Sequence, residues 1–89
     1  MTAQPQATSV PPVEVVLGDT IASLALAAHA YLAPPDESVA PDLAGAEILI
    51  DLAGAAFDRI SPRLQPEERS ALARLLTDLR LTFVQKRGL

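Results

Sequence analysis

Cysteine and tryptophan are absent from this chain, and one Tyr and two Phe are all the aromatic residues among its 89. Without cysteine there are no disulfides, no thiolate zinc sites and no thiol catalysis, and an intracellular location fits. With so few aromatics, any core must be aliphatic and rich in alanine, because hydrophobic residues still make up 49% of the sequence. A chain this short forms one domain and buries a smaller share of its surface than a larger one. It therefore offers more apolar surface than it can hide, and self-association is the simplest outlet.

Positive charge is missing from most of the chain: no Lys or Arg precedes Arg59. Before it stand Glu14, Asp19, Asp36, Glu37, Asp42, Glu47, Asp51 and Asp58. From Arg59 onward come Arg63, Arg69, Arg74, Arg80, Lys86 and Arg87 against Glu67, Glu68 and Asp78. The net charge of −4 conceals this segregation. Two halves of opposite sign packed in one fold would neutralise each other. A nucleic-acid face would instead need a continuous basic patch, preferably with stacking aromatics, and neither is evident.

What is present centres on Asp42 to Ile60, DLAGAEILIDLAGAAFDRI. At about 100° per residue, Leu43, Ala46, Ile50, Ala53, Phe57 and Ile60 form a seam at steps of three and four. Leu49, Leu52 and Ala56 fall beside it and widen the apolar surface to roughly half the circumference, more than the stripe of about 100° that one neighbour covers. Glu47, Asp51 and Asp58 gather on the opposite side. Gly45 and Gly54 each cost about 1 kcal/mol of helix propensity relative to Ala, which close approach of another helix would offset; fraying near Gly45 is the alternative.

The flanking segments follow. Residues 1–17 are expected to be a disordered or extended tail, polar and proline-containing up to Pro12, without the basic and apolar regions of a signal peptide. Val13 to Leu17 reads as a lead-in, since a lone strand has nothing to pair with. Residues 18–89 form the helical domain. A first helix from Thr20 to about Leu32, capped by Asp19 or Thr20, places Leu17, Ile21, Leu24, Ala28, Tyr31 and Leu32 on one face. It reads as a core helix, because Asp19 interrupts the run and a membrane span needs about 20 apolar residues. Pro34 to Pro41 is a linker. Asp42 caps the central helix, which ends at Ser61-Pro62, where Ser61 is expected to leave the α region ahead of the proline. Pro66-Glu67-Glu68 opens a third helix running to about Lys86, with Gln65 a weaker cap than Ser or Thr.

The expected fold is all-α: three main helices, the last two an antiparallel hairpin with the first packed across it, assembled into a homo-oligomeric bundle. Leu24, Ile50, Ala53, Phe57, Leu72, Leu76, Leu79 and Phe83 are the candidate core or oligomer-interface positions. In a hairpin closed by a short turn, Asp58 would lie near Arg69 and Glu47 or Asp51 near Arg80, which makes Asp51, Asp58, Arg69 and Arg80 the candidate structural ion pairs.

Catalytic and metal chemistry finds little footing. His29 is the single histidine, and its neighbours at three and four positions are Ala25, Leu26, Leu32 and Ala33, none of them an acid to orient it. An enzyme would need a pocket placing His29 beside an acid from another helix or subunit. Glu47 and Asp51 are one turn apart and can present oxygens to a hard cation, but the Glu-x-x-His element of carboxylate-bridged bundles is missing. There is no phosphate loop, zinc pattern or recognisable nucleophile context. No catalytic residue, cofactor or metal ligand is assigned, and no enzyme is expected. Tyr31, Phe57 and Phe83 sit at helical spacing with aliphatic residues and read as core.

From Ser23 to Val84 the chain resembles a bacterial family of small helical proteins, domain of unknown function 1844. The likeness rests on Ser23-Leu24-Ala25 with Ala28 and Leu32, Asp42-Leu43 with Ala46, Ile50-Asp51, Leu64 with Glu67-Glu68, and Leu72, Leu75-Leu76, Leu79-Arg80 and Phe83-Val84. The family's Lys-Thr-x-Gly-Asn-Leu-Thr turn here reads Arg59-Ile60-Ser61-Pro62-Arg63-Leu64-Gln65, keeping the basic residue and Leu64. The resemblance implies a helical fold and a cytoplasmic bacterial source, and no reaction or ligand. The expected role is that of a small oligomeric scaffold or adaptor whose partner is itself, most simply as a two-fold dimer, or another helical protein, with no membrane. The rivals are a nucleic-acid- or ribosome-associated accessory protein using the basic third helix, and a carrier of a small apolar ligand.

Overall fold

The computed structural model describes residues 10–88. Three α-helices follow in order: α1, Val13–Leu32; α2, Leu43–Ile60; and α3, Pro66–Arg87; a 3-10 turn, Ser61–Arg63, joins the last two. No strand occurs among the described residues, and the protein is all-α. Expectations that fall on Met1 to Ser9 lie outside the described residues.

The buried side chains fix the helix directions. Ala25, Ala28 and Leu32 of α1 pack with Ala46 and Ile50 of α2 and Leu79 of α3, flanked by Leu43, Leu49 and Phe83. Ile21 packs with Ala53, Ile60, Leu64 and Leu76, flanked by Leu17, Leu24, Ala56, Phe57 and Leu72. Residue numbers rise along α1 as they fall along α2 and rise again along α3, so the bundle runs up, down, up. The hairpin of α2 and α3 is therefore present, but the most extensive packing is between α1 and α2. Its centre is a seam of small side chains, Ala25, Ala28, Ala46 and Ala53, all buried. Of the positions singled out from sequence, Ile50, Ala53, Leu76 and Leu79 are buried. Leu24, Phe57, Leu72 and Phe83 are partly buried and packed against them.

The first helix starts earlier than its sequence suggests. Val13 to Leu17 is helical rather than extended, and the backbone N–H groups of Val15 and Val16 donate to the Pro12 carbonyl at 3.0 and 3.2 Å. Pro12 can occupy the cap position because its carbonyl accepts and its missing N–H is not needed there. Neither Asp19 nor Thr20 is a cap: the Thr20 hydroxyl donates to the Val16 carbonyl inside the helix, 2.9 Å away. Counted this way α1 has 20 residues and is long and apolar enough to cross a membrane by length and composition. Length therefore does not exclude a span; four α1 residues, Ile21, Ala25, Ala28 and Leu32, are buried in the bundle.

The linker reverses the chain through a turn at Asp36, whose carboxylate accepts from the Ser38 backbone N–H at 2.9 Å and the Ser38 hydroxyl at 2.8 Å. These two donors hold its carboxyl below the ordinary Asp range. The Asp42 N–H donates to the Tyr31 carbonyl at 2.9 Å, which closes the loop. The Asp42 side chain accepts from the Gly45 N–H at 2.8 Å, the cap read from sequence. At the other end of α2, Ser61 stays in the α region (φ −50°, ψ −44°) despite Pro62, because the chain tightens into the 3-10 turn. The residue that a following proline does hold extended is Gln65 (φ −67°, ψ 153°). Its own N–H donates to the Glu68 carboxylate at 3.1 Å while its side chain accepts from the Glu68 backbone N–H, so Gln65, expected to be a weak cap, forms a reciprocal capping box with Glu68.

The two glycines of α2 have different reasons for being there, and neither is approached by another helix's backbone. At Gly45 a Cβ would press on the capping Asp42 carboxylate and on the Tyr31 ring; at Gly54 it would meet only the guanidinium end of Arg80. Gly54→Ala is expected to stabilise the protein, by up to about 1 kcal/mol, because Arg80 is exposed and swings aside. Gly45→Ala is expected to destabilise it by about 1 kcal/mol through the lost cap. Urea denaturation of the two variants checks the opposite signs.

Candidate functional site

The opposite charges of α2 and α3 do not meet as expected. Among the described residues the one ion pair joins Arg63 to Glu14, 3.1 Å apart, tying the 3-10 turn to the start of α1. Asp51, Asp58, Arg69 and Arg80 form no ion pairs among the described residues, which corrects both proposed pairings. Arg69 instead turns inward at the chain reversal: its Nε donates to the Ser61 carbonyl at 3.1 Å and its terminal nitrogen to the Leu64 carbonyl at 2.9 Å. The Ser61 carbonyl also accepts from the Leu64 N–H at 3.1 Å within the 3-10 turn, so the guanidinium adds a second bond there and one to the Leu64 carbonyl, tying two points of the reversal together. Arg80 lies over Gly54, and Arg87 sits 5.5 Å from the centre of the Phe83 ring, within cation–π range.

Two apolar surfaces remain. The first is a groove of about 480 Å³ between α1 and α3, lined by Ala22, Ala25, Leu26 and His29 on one side and Leu75, Asp78, Leu79 and Thr82 on the other. It puts His29 and Asp78, from different helices, in one depression, the pairing that sequence spacing along α1 could not show. No hydrogen bond joins them among the described residues, and the Thr82 hydroxyl is engaged with the Asp78 carbonyl at 3.0 Å. No nucleophile is activated and no base is oriented there. Its chemistry is that of an apolar trough with one imidazole and one carboxylate at its rim. Among the described residues no three His, Asp or Glu side chains gather closely enough to hold a metal.

The second surface is the outer face of the α1–α2 pair. Val13, Val16 and Tyr31 of α1 and Ile48 and Leu52 of α2 are each between 43% and 60% exposed. By helical count they lie on the side of each helix turned away from α3. Tyr31 was expected in the core; its ring instead lies against Gly45 at the edge of this face. At the other end Val13, Leu17, Leu52, Ala55, Ala56, Arg59, Ile60 and Arg63 line a shallow hollow of about 530 Å³.

Charge separates the three faces of the bundle. The α2–α3 side carries Glu47, Asp51, Asp58, Arg69 and Arg80, and the α1–α3 side carries Asp19, His29, Glu68 and Asp78. Along the α1–α2 side from Val13 to Tyr31 and from Gly45 to Ala56, the outward positions hold no charged residue; Arg59 begins the charged end. The extra width at Leu52 and Ala56 was legible in the sequence. Ile48 and Val16 were not singled out, and an angular count continued beyond the core stripe was the signal for them. Nothing in the sequence pattern marked the capping role of Arg69 or the contact between Arg63 and Glu14.

Comparison of the chain with protein-family models, with curated proteins and with solved structures finds no match.

Because Asp51 and Arg80 are not paired, Asp51→Arg is expected to change stability by no more than about 0.5 kcal/mol, with no rescue by Arg80→Asp. Arg69→Ala, which removes two charged hydrogen bonds to backbone carbonyls of the reversal, is expected to cost about 1–3 kcal/mol. A double-mutant cycle in urea checks the first expectation and a single denaturation curve the second.

Proposed function

We propose that the protein is a non-catalytic, self-associating scaffold or adaptor that works in the cytoplasm, the setting implied by its resemblance to the domain of unknown function 1844 family. One observation carries this reading: large aliphatic side chains, Val16, Ile48 and Leu52 foremost, lie half exposed on an uncharged face two helices wide. An apolar surface of that breadth is an interaction site in a folded protein, whereas scattered exposed residues need no explanation.

The rival reading, a nucleic-acid accessory protein, draws on the arginines of α3 and of the preceding turn. Three of them have work within the fold: Arg63 on Glu14, Arg69 on two carbonyls and Arg87 on Phe83. The α1–α3 groove supports a further reading, carriage of a small apolar ligand, since its walls are almost wholly aliphatic. Such a ligand would raise the melting temperature with concentration.

Light scattering behind a sizing column, across a dilution series, is expected to show a dimer or higher assembly that dissociates on dilution. A folded monomer at every concentration would remove the self-association. A gel shift of single-stranded RNA at low salt that fades steeply as salt rises would favour the nucleic-acid reading instead.

A further inference from the structure

We infer that the uncharged α1–α2 face pairs with the same face of a second copy, as an antiparallel four-helix dimer with Leu52 at its two-fold axis; this rests on the self-association proposed above. Area and charge together point to the second copy. Helices of 20 and 18 residues lying side by side, with about 27 Å of shared length and widths of about 10 Å each, present roughly 500 Å² per copy. A pair covers about 1,000 Å², the lower limit for a specific interface, which matches a dimer that dissociates on dilution.

A face that meets itself has two symmetric ways to do so. With the two-fold axis running along the helices, like ends meet, and Arg59 of one copy lies beside Arg59 of the other. With the axis running across the helices, opposite ends meet. Leu52 is the middle of the exposed α2 stripe, and Arg59 lies seven residues beyond it, about 10.5 Å along the helix. The matching position seven residues before Leu52 is Gly45, beside Tyr31 and one turn from Asp42. The loop leading into that end carries Asp36 and Glu37 and no basic residue. Arg59, which has no ion-pair partner among the described residues, is thereby brought to the acidic end of its neighbour. The crosswise axis brings Arg59 to an acidic end at both ends of the pair, and the lengthwise axis sets Arg59 beside Arg59 and acidic loop beside acidic loop; the first is the self-complementary one in charge.

The absence of native cysteine makes the geometry directly testable on the full chain. Leu52→Cys is expected to form a covalent dimer under mild copper–phenanthroline oxidation, since residues at a two-fold axis can come within the Cα separation a disulfide needs, about 7 Å at most. Leu26→Cys, more exposed than Leu52 but in the α1–α3 groove, is expected to stay uncrosslinked. Arg59→Glu is expected to weaken the dimer at least tenfold at low salt, with the difference shrinking as salt rises; circular dichroism verifies that each variant is folded. If the wild-type protein is a dimer but only Leu26→Cys crosslinks, the face assigned is wrong while self-association stands. A tighter dimer with Arg59→Glu overturns the crosswise axis in favour of the lengthwise one. A wild-type monomer overturns both this inference and the self-association it rests on, and if that monomer sediments with phosphatidylcholine–phosphatidylglycerol vesicles, a lipid surface is the occupant of the face.

Discussion

The alanine seam between α1 and α2 is the constraint from which the rest follows. Ala25, Ala28, Ala46 and Ala53 are buried where the two helices meet, and side chains of that size let helix axes approach more closely than leucines do. The gain is dense contact along the pair; the loss is buried volume, because an alanine removes far less apolar area from water than the about 1.5–3 kcal/mol worth carried by a leucine or isoleucine. The remaining core relies on a few larger side chains, of which Ile21, Leu32, Ile60 and Leu76 are the most enclosed. Helices drawn together along small residues turn the larger ones on their flanks outward. That is how Val16, Ile48 and Leu52 come to be exposed in a chain short of core.

A thin core places more weight on the ends of the helices, where backbone groups must be satisfied by something other than the helix itself. This protein does so with side chains whose charge is used locally. Asp42 caps α2, Glu68 accepts from the first N–H of the α3 turn, and Arg69 serves the carbonyls of Ser61 and Leu64. Each of these contacts spans eight residues or fewer in sequence. The long-range pairing of an acidic α2 with a basic α3 is what the charge segregation suggested, and it is not how these groups are used. Charged hydrogen bonds to backbone at a chain reversal are worth more than exposed ion pairs between long side chains.

How much of this could be read from the sequence follows from the same physics. The α2 limits, the Asp42 cap and the Pro66 start were legible because each has a local cause: a seam at steps of three and four, an Asp one residue before it, a proline at the first helical turn. Ile50, Ala53, Leu76 and Leu79 were legible as core for the same reason. The start of α1 was hidden because β-branched Val13, Val15 and Val16 favour extended backbone in isolation, and packing of Leu17 and Ile21 overrides that preference. Ser61 was misread because the proline rule is a bias and the 3-10 turn satisfies it differently. The joining of His29 and Asp78 in one groove needs the parallel arrangement of α1 and α3, which no single-helix count contains. Tyr31 was misplaced because the seam leaves no room for a ring between α1 and α2.

The charge segregation therefore acts through which face each residue occupies more than through which partner it finds. A chain with Asp and Glu in its first two helices and Arg and Lys from Arg59 onward folds so that the charges along the helices lie on sides involving α3, while those of the α1–α2 side gather at its two ends, Asp36, Glu37 and Asp42 at one and Arg59 and Arg63 at the other. The α1–α2 face is left bare by exclusion. An amphipathic helix in a lone bundle has one buried stripe and one wet side; α1 and α2 each have a buried stripe, a charged flank and a second apolar flank. The two extra flanks adjoin, so their surplus forms one surface, separate from the α1–α3 groove that Leu26 and Leu75 line. A contiguous uncharged face on a protein with so little core links the thinness of its interior to the apolar surface it exposes, and the same alanine seam produces both.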